Sequence, residues 1–332
     1  MLNNSENIRA SLENSIRWML TQLNDDGTVN PLPKGAIGYY KLPWAFILAG
    51  KYREAKQIID WTVRETFSSD GDLKSDKRQK FHLDFYTYPN TWICLAAHLL
   101  SLFELSYPMW NFITTFQDPE TGGYCSKTPW ESGKDILQDA ISTAWSSMTG
   151  LYLGKIEEAE KGASFLQTLM DEQPDFTRTF YYYRYSRSGL VREKPEEEPD
   201  DRFIRINMKE KEENFYYILG AVVSFLAKLA SITKDPKHLD LAKTYFDFVV
   251  RAGEHPFNTE SCGKLCFAAA NLYEATRDIG YLEWAERFVL SLLKIGEADG
   301  SWIRGGKPTV SSTAEFCVWR THFLNMITGV SE

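Results

Sequence analysis

Apolar positions recur at three- and four-residue intervals along most of the chain. Tyr52, Ala55, Ile58, Ile59, Thr62 and Val63 form one stripe, and Leu282, Ala285, Phe288, Val289, Leu292 and Leu293 form another. That spacing puts side chains on one face of an α-helix, so both segments read as surface helices with one buried face. Taken with the breakers and caps between stripes, the pattern predicts twelve helices near 6–23, 40–49, 52–67, 88–105, 107–116, 137–153, 155–170, 212–233, 236–252, 259–277, 280–294 and 311–327.

The odd-numbered helices end in a recurring turn: Asp25-Asp26-Gly27, Asp70-Gly71-Asp72, Asp118-Pro119-Glu120-Thr121-Gly122-Gly123-Tyr124 and Asp299-Gly300-Ser301-Trp302. Glycine there supplies the left-handed backbone that ends a helix. Gly253 takes the corresponding place after the ninth helix and Glu172 to Asp175 after the seventh, which makes six. Gly27 to Gly71 is 44 residues, Gly71 to Gly122 is 51 and Gly253 to Gly300 is 47, a period that marks repeat architecture. A helical hairpin that cannot bury its apolar faces alone must stack on its neighbours. Six of them closing into two concentric rings account for residues 1–332 as one domain, an all-α (α/α)6 toroid.

One stretch breaks the helical pattern. Residues 176–211 hold Phe180-Tyr181-Tyr182-Tyr183-Arg184-Tyr185, a turn at Ser186 to Gly189, and Phe203-Ile204-Arg205-Ile206, which read as short strands. Between them Glu193 to Asp201 is acidic and proline-bearing, and is expected to be solvated. The insertion leaves and rejoins the ring at one end, so it is expected to act as a lid.

Composition narrows the function. A net charge of −8 leaves no basic footprint for nucleic acid. No stretch reaches the roughly 20 apolar residues of a membrane span, and the start carries charged residues in place of a signal sequence. A soluble cytoplasmic protein is expected. Five scattered cysteines do not suggest a disulfide framework. Cys262 and Cys266 lie four apart, but no companion Cys or His pair completes a metal set, so neither metal nor other cofactor is expected. Aromatic residues make up 14% of the chain, enough to line a cavity as well as fill a core.

The segment Gln117 to Tyr124 after the apolar run Trp110 to Phe116, and Trp284 to Trp302 ending in Asp-Gly-Ser-Trp, resemble the repeats of the terpenoid-cyclase and protein-prenyltransferase toroids. Gly263-Lys264 and Ala268 to Asp278 are similar to the six-hairpin glycosidases and sugar epimerases. The resemblance implies the toroid over most of the chain. It does not extend to the chemistry: the Asp-x-Asp-Asp motif of squalene–hopene cyclases, the zinc sets of prenyltransferases and lanthionine cyclases, and the paired histidines of sugar epimerases have no counterparts here.

In such a ring the even-numbered helices line the centre and start at the end where the Asp-Gly turns lie. Their free N–H groups and positive dipole ends favour anions and developing negative charge. The starts carry Tyr39, Lys41 and Trp44; Tyr86, Tyr88, Asn90 and Trp92; Asp139; Asn214 and Tyr216; Glu260, Cys262 and Lys264; and Glu315. Asp139, Glu260 and Glu315 are acid/base candidates because burial can raise a carboxyl pKa; helix capping is the plainer role for each. His82 and Asp84 share a side if their segment is extended and form a candidate proton shuttle. Lys41 and Lys264 suit an anion or a base, while Tyr39, Tyr86, Tyr88, Trp44, Trp92 and Trp145 suit a sugar ring or a cation.

These residues fit an enzyme that cyclises, isomerises or eliminates on a small hydrophobic, terpenoid or polyketide-like substrate in an aromatic cavity. They also fit an intracellular glycoside hydrolase or sugar epimerase. A non-catalytic binding scaffold is the third alternative.

Overall fold

The computed structural model describes residues 2–30, 39–73, 78, 80–194, 196, 201–210, 214–258, 262–304 and 306–328. In chain order the helices are α1 (Leu2–Gln22), α2 (Leu42–Leu48), α3 (Tyr52–Thr66), α4 (Lys80–Asp84), α5 (Tyr88–Leu99), α6 (Phe103–Thr114), α7 (Ala140–Tyr152), α8 (Ile156–Asp171), α9 (Tyr217–Thr233), α10 (Pro236–Arg251), α11 (Cys262–Thr276), α12 (Ile279–Leu293) and α13 (Val310–Thr328). Helices α2, α5, α7, α9, α11 and α13 each pack on the next, and α13 returns to α2. Around this inner ring α3, α6, α8, α10 and α12 back their inner partners, and α1 backs α13. The fold is the all-α toroid, with α4 as a short addition to the expected twelve helices.

Sequence explains which helix goes where. Residues 140–151 of α7 are all buried, and Gly150 lets Trp110 of α6 approach where a Cβ would lie 2.8 Å from its ring. Outer α3 buries Ala55, Ile58, Ile59 and Thr62 and leaves Tyr52 59% exposed, so the stripe begins at Ala55 and not, as expected, at Tyr52. Several boundaries differ from expectation: α1 starts at Leu2 and not near 6, and α9 at Tyr217 and not near 212. The fourth predicted helix stops at Leu99, because Ser101 takes a left-handed φ of 60° and α6 starts at Phe103. Residues 137–139 form a strand where a helix start was expected.

The recurring turn does more than end a helix. In each case an aspartate oxygen accepts a backbone N–H two residues on: Asp26 from Thr28, Asp70 from Asp72, Asp118 from Glu120 and Asp299 from Ser301. The following glycine then lies flat on a neighbouring outer helix: Gly27 on Gln57 of α3, Gly71 on Pro108 of α6, Gly122 on Lys161 of α8, and Gly300 on Asn14 of α1. Gly253 also follows its helix with a left-handed φ of +64°, as expected, but among the described residues nothing lies within 4 Å of where its Cβ would be, so it docks on no outer helix. Gly71→Ala is expected to cost about 2 kcal/mol or more in urea unfolding, because φ is +93° and the new Cβ would stand 2.2 Å from the Pro108 carbonyl. Gly50→Ala is the control, with φ +70° and nothing within 4 Å, and should cost only the roughly 1–2 kcal/mol of the left-handed backbone. Equal losses in the two variants would dismiss the docking role.

The last of these turns closes the ring. Ser15 Oγ of α1 donates to the Gly300 carbonyl at 2.5 Å, while Arg320 of α13 donates to Ser15 Oγ at 2.8 Å and to Ser11 Oγ at 2.7 Å. The Arg320 side chain is wholly buried, stacks 4.2 Å from the Trp302 ring centre, and returns its Nε to the Phe316 carbonyl.

The insertion is strand-paired, as expected. Strands β1 (Leu137–Asp139), β3 (Tyr183–Tyr185) and β4 (Gly189–Leu190) form one antiparallel sheet, and β2 (Thr179–Tyr181) pairs with β5 (Arg205–Asn207). A further small hairpin joins β6 (Ile303–Arg304) to β7 (Lys307–Pro308). Phe203 lies in a 3-10 turn instead of a strand. Among the described residues no helix is long and apolar enough to cross a membrane.

Candidate functional site at the mouth of the ring

Inner and outer helices alternate in direction, so the six inner N-termini share one end. Lys41 directly precedes α2, Lys264 lies in the first turn of α11, and Glu315 in the second turn of α13. The three side chains meet there: Lys41 Nζ donates to Glu315 Oε2 and Lys264 Nζ to Oε1. All three are buried. Burial alone would raise the Glu315 pKa, but the ammonium of Lys264 and then that of Lys41 outweigh it and hold the carboxyl well below the ordinary glutamate range. Glycines make room for this meeting. A Cβ on Gly220 of α9 would lie 2.7 Å from the Lys264 backbone, and one on Gly263 would lie 2.4 Å from the Trp319 ring. Aromatic faces wall the group: Lys41 Nζ is 5.3 Å from the Tyr40 ring centre and 5.9 Å from Trp92, and Lys264 Nζ is 5.3 Å from Tyr217 and 5.9 Å from Tyr88.

The ring axis carries four tryptophans, Trp44, Trp92, Trp145 and Trp319, from four different inner helices. Every pair is in contact, with ring centres 5.1–6.4 Å apart, and none is more than 3% exposed. Trp44, Trp92 and Trp145 therefore fill the axis, where the sequence suggested that they line an open chamber. The reason is energetic: burying an indole removes about 150–250 Å² from water, worth about 4–6 kcal/mol, which rings facing a wet cavity would forgo.

The second carboxyl is Asp139, the last residue of β1 and the cap of α7. Its Oδ1 accepts the Ser142 backbone N–H at 2.6 Å, as a helix cap does. Among the described residues its Oδ2 has no hydrogen-bond partner, and the residue is 0% exposed. Burial pushes its pKa up to about 7, against the lowering effect of Ser142 and Ser126 beside it. Directly across the strand pair stands Tyr183 of the insertion. Burial raises the Tyr183 phenol well above its usual range, and the charges of Asp139 and Asp84, together with Tyr182 and Tyr217, raise it further. Tyr88 is raised in the same way by burial, then by Glu315, Tyr40 and Tyr217. Tyr217 thus lies within electrostatic reach of Tyr183, paired across from Asp139, and of Tyr88, on which Glu315 acts.

Other expected site residues have structural partners. Asn90 and Tyr86 belong to a network around the buried Arg78: its guanidinium donates to Asp72 at 3.0 Å and to Asn90 Oδ1 at 2.6 Å, and stacks 3.8 Å from the Tyr86 ring centre. Tyr86 donates its hydroxyl to Asp72 at 2.6 Å. Tyr39 packs outward on Trp61 of α3, with ring centres 4.6 Å apart. Asn214 ties the end of the insertion through both backbone groups of Asn207. Cys262 donates its thiol to the Pro256 carbonyl. Tyr216 is buried, its hydroxyl without a partner among the described residues, and burial pushes its pKa up to about 12.

His82 and Asp84 do not share a side. Their segment is the short helix α4, where positions two apart diverge. His82 meets the Tyr40 ring edge-on at 5.4 Å, and Asp84 pairs with Lys127 at 3.1 Å. Glu260 and most of Glu193 to Asp201 lie outside the described residues. Tyr40, Tyr183, Tyr217 and Trp319 belong to the candidate site but were not singled out from the sequence. For Trp319 a signal existed, its i+4 spacing from Glu315 on one helix face.

All five cysteines are free and buried, and among the described residues no group of three His, Cys, Asp or Glu side chains could hold a metal. A cleft of about 490 Å³ opens at the other end of the ring, lined by Ala230 of α9 and by Glu274 and Arg277 at the far end of α11, with Leu239 from the start of α10. The sequence had pointed to a pocket at the mouth.

No family model and no curated protein matches the sequence. Solved structures do match across the whole chain. A D-mannose isomerase superposes with a TM-score of 0.69 at 13% identity, covering 96% of this chain and 97% of its own. A family 76 α-mannanase of Bacteroides thetaiotaomicron gives 0.63 at 12%, covering 98% and 97%. A type II terpene cyclase from Scytonema gives 0.59 at 12%, covering 98% and 99%. All three are enzymes; at such identity the likeness concerns the toroid alone.

Proposed function

We propose that this protein is an enzyme acting on a carbohydrate, a hydrolase or an isomerase, by acid/base catalysis at the mouth of the ring. One observation carries the reading: two carboxyls at the starts of inner helices have environments that drive their proton affinities apart. Burial raises the pKa of Asp139 to about 7, which suits a general acid; Glu315 is kept ionised by two lysines, whose ammonium groups it holds at the mouth. Such divergence identifies acid and base roles in many active sites. Lys41 and Lys264 then orient Glu315, and the half-buried Tyr217 beside Lys264 offers a flat face and a hydroxyl to a sugar.

The hydrophobic-substrate reading needs an open apolar chamber on the axis, and there the four tryptophans pack on one another. The likeness to a mannose isomerase and a mannanase favours the carbohydrate reading as well. The test is turnover of a panel of monosaccharides, α-mannosides and unsaturated uronides, with a terpenoid panel in parallel. Turnover of a sugar that Asp139→Asn abolishes is the expected result. Activity on terpenoids alone, or sugar turnover indifferent to both Asp139 and Glu315, would refute the proposal.

A further inference from the structure

Asp139 poses a problem of access and of solvation, because no part of it is exposed. Its Oδ1 is held by the start of α7, so its proton and its chemistry belong to Oδ2. In an antiparallel pair, residues directly opposite project on the same face with Cβ atoms about 4.5–5.5 Å apart. Asp139 and Tyr183 are such a pair. The Tyr183 ring therefore rises beside the carboxyl and, being far longer, extends past it. Phe85 holds that ring in place by a parallel stack, with centres 6.0 Å apart and planes 9° from parallel. Tyr183 keeps 8% exposure where Asp139 has none.

The geometry points to Tyr183 as a positioning residue for the acid: its ring, carried in by the insertion, is the cover that keeps water from Asp139. This inference rests on the reading of Asp139 as the acid and extends the working site to the insertion. Among the described residues the groups facing Asp139 are few. The Ser142 backbone N–H bonds to Oδ1, and the hydroxyls of Ser142 and Ser126 lie beside the carboxyl; Cys125 faces it, and burial pushes that thiol up to about 12, with Asp118 and Asp139 adding to the rise. Gln138 turns away to Asp118 and Thr121. Beyond Tyr183 stand Tyr182, Tyr217 and Asp84, the last paired with Lys127. None of these is a cation in contact with Asp139, so the dryness that Tyr183 maintains is the dominant influence on its proton.

The test is a carboxyl carbon-13 titration of the full-length protein, with the Asp139 signal identified by its loss in Asp139→Asn. Tyr183→Ala should admit water and weaken proton binding at Asp139 tenfold or more. Phe85→Leu, a milder change that keeps apolar volume, should act in the same direction by releasing the ring. Tyr183→Phe, which keeps the cover, should leave the midpoint unmoved. A native midpoint near 7 that survives both Tyr183→Ala and Phe85→Leu would overturn the role of Tyr183 while leaving the acid in place. A drop in Tyr183→Phe as large as in Tyr183→Ala would overturn it too, because the hydroxyl and not the ring would be responsible. A native midpoint in the ordinary aspartate range would instead remove the acid itself, and the proposed chemistry with it.

Discussion

Replacing Glu315 by Gln should destabilise the protein by about 3–5 kcal/mol, the range for removing one partner from a buried ion pair. The substitution keeps the volume but leaves the ammonium groups of Lys41 and Lys264 facing each other across a neutral amide, walled by Tyr40, Tyr88, Tyr217 and Trp92. Relief by a second change is diagnostic: Lys264→Met in the Glu315→Gln background should recover part of the loss, since one uncompensated charge is then gone. The pH dependence follows from the direction of the shift. The folded pKa of Glu315 lies below its unfolded value, so its contribution is complete above the ordinary glutamate pKa and is lost as pH falls through the folded one. The native protein should therefore lose stability into acid more steeply than Glu315→Gln. Urea titrations between pH 3 and 7 measure both slopes, and parallel curves would contradict the pairing.

Asp139→Asn should do the opposite to stability while removing activity. Asparagine keeps the cap on α7, yet general-acid function is lost, and a fall of about 10²–10⁴-fold in turnover is expected. For stability the sign is reversed from Glu315. The folded pKa of about 7 lies above the ordinary 3.8, so the native state holds its proton while the unfolded chain releases it. Stability from this group is complete below the unfolded pKa and is lost as pH rises through about 7. The gap of about three units corresponds to at most about 4 kcal/mol. The variant should thus match the native protein near pH 4 and exceed it at pH 8. A variant less stable than the native protein at both pH values would show that the carboxylate is stabilising, and Asp139 would be a cap and nothing more.

What the sequence made legible, and what it did not, follows from the range of the interactions. Helical periodicity is local, so most helices and the insertion's strands could be read directly. The Asp-Gly turn was visible as a repeat, but its docking on a neighbouring outer helix was not, because the contact from Gly71 to Pro108 has no trace in the spacing of either. Lys41, Lys264 and Glu315 were each readable as ionisable residues at inner-helix starts. Their meeting at one point was not, since it depends on how far each start protrudes into the mouth. Asn90 and Tyr86 were assigned to the site because their main partner, Arg78, sits in a segment without any pattern. His82 and Asp84 failed on a local point: five residues of helix sufficed to turn them apart. The tryptophans illustrate a deeper limit, since a ring that lines a cavity and one that fills it leave the same mark in a sequence.

The seam between α1 and α13 has a bearing on how the molecule assembles. Most hairpins contact hairpins next to them in the chain, and such contacts can form in any order as neighbours stack. The seam is different: Ser15 meets Gly300 across 285 residues and Arg320 across 305, and Lys41 meets Glu315 across 274. Contacts of that span carry the largest loop-closure entropy and are favoured only once the intervening hairpins have brought the ends together. Closing the ring and forming the Lys41–Glu315 pair are then one event. An open stack of hairpins would have nearly all the helices of the native protein and could already pair Lys264 with Glu315, but it would lack the Lys41 contact that completes the mouth, so the competence of the site reports on completion of the fold.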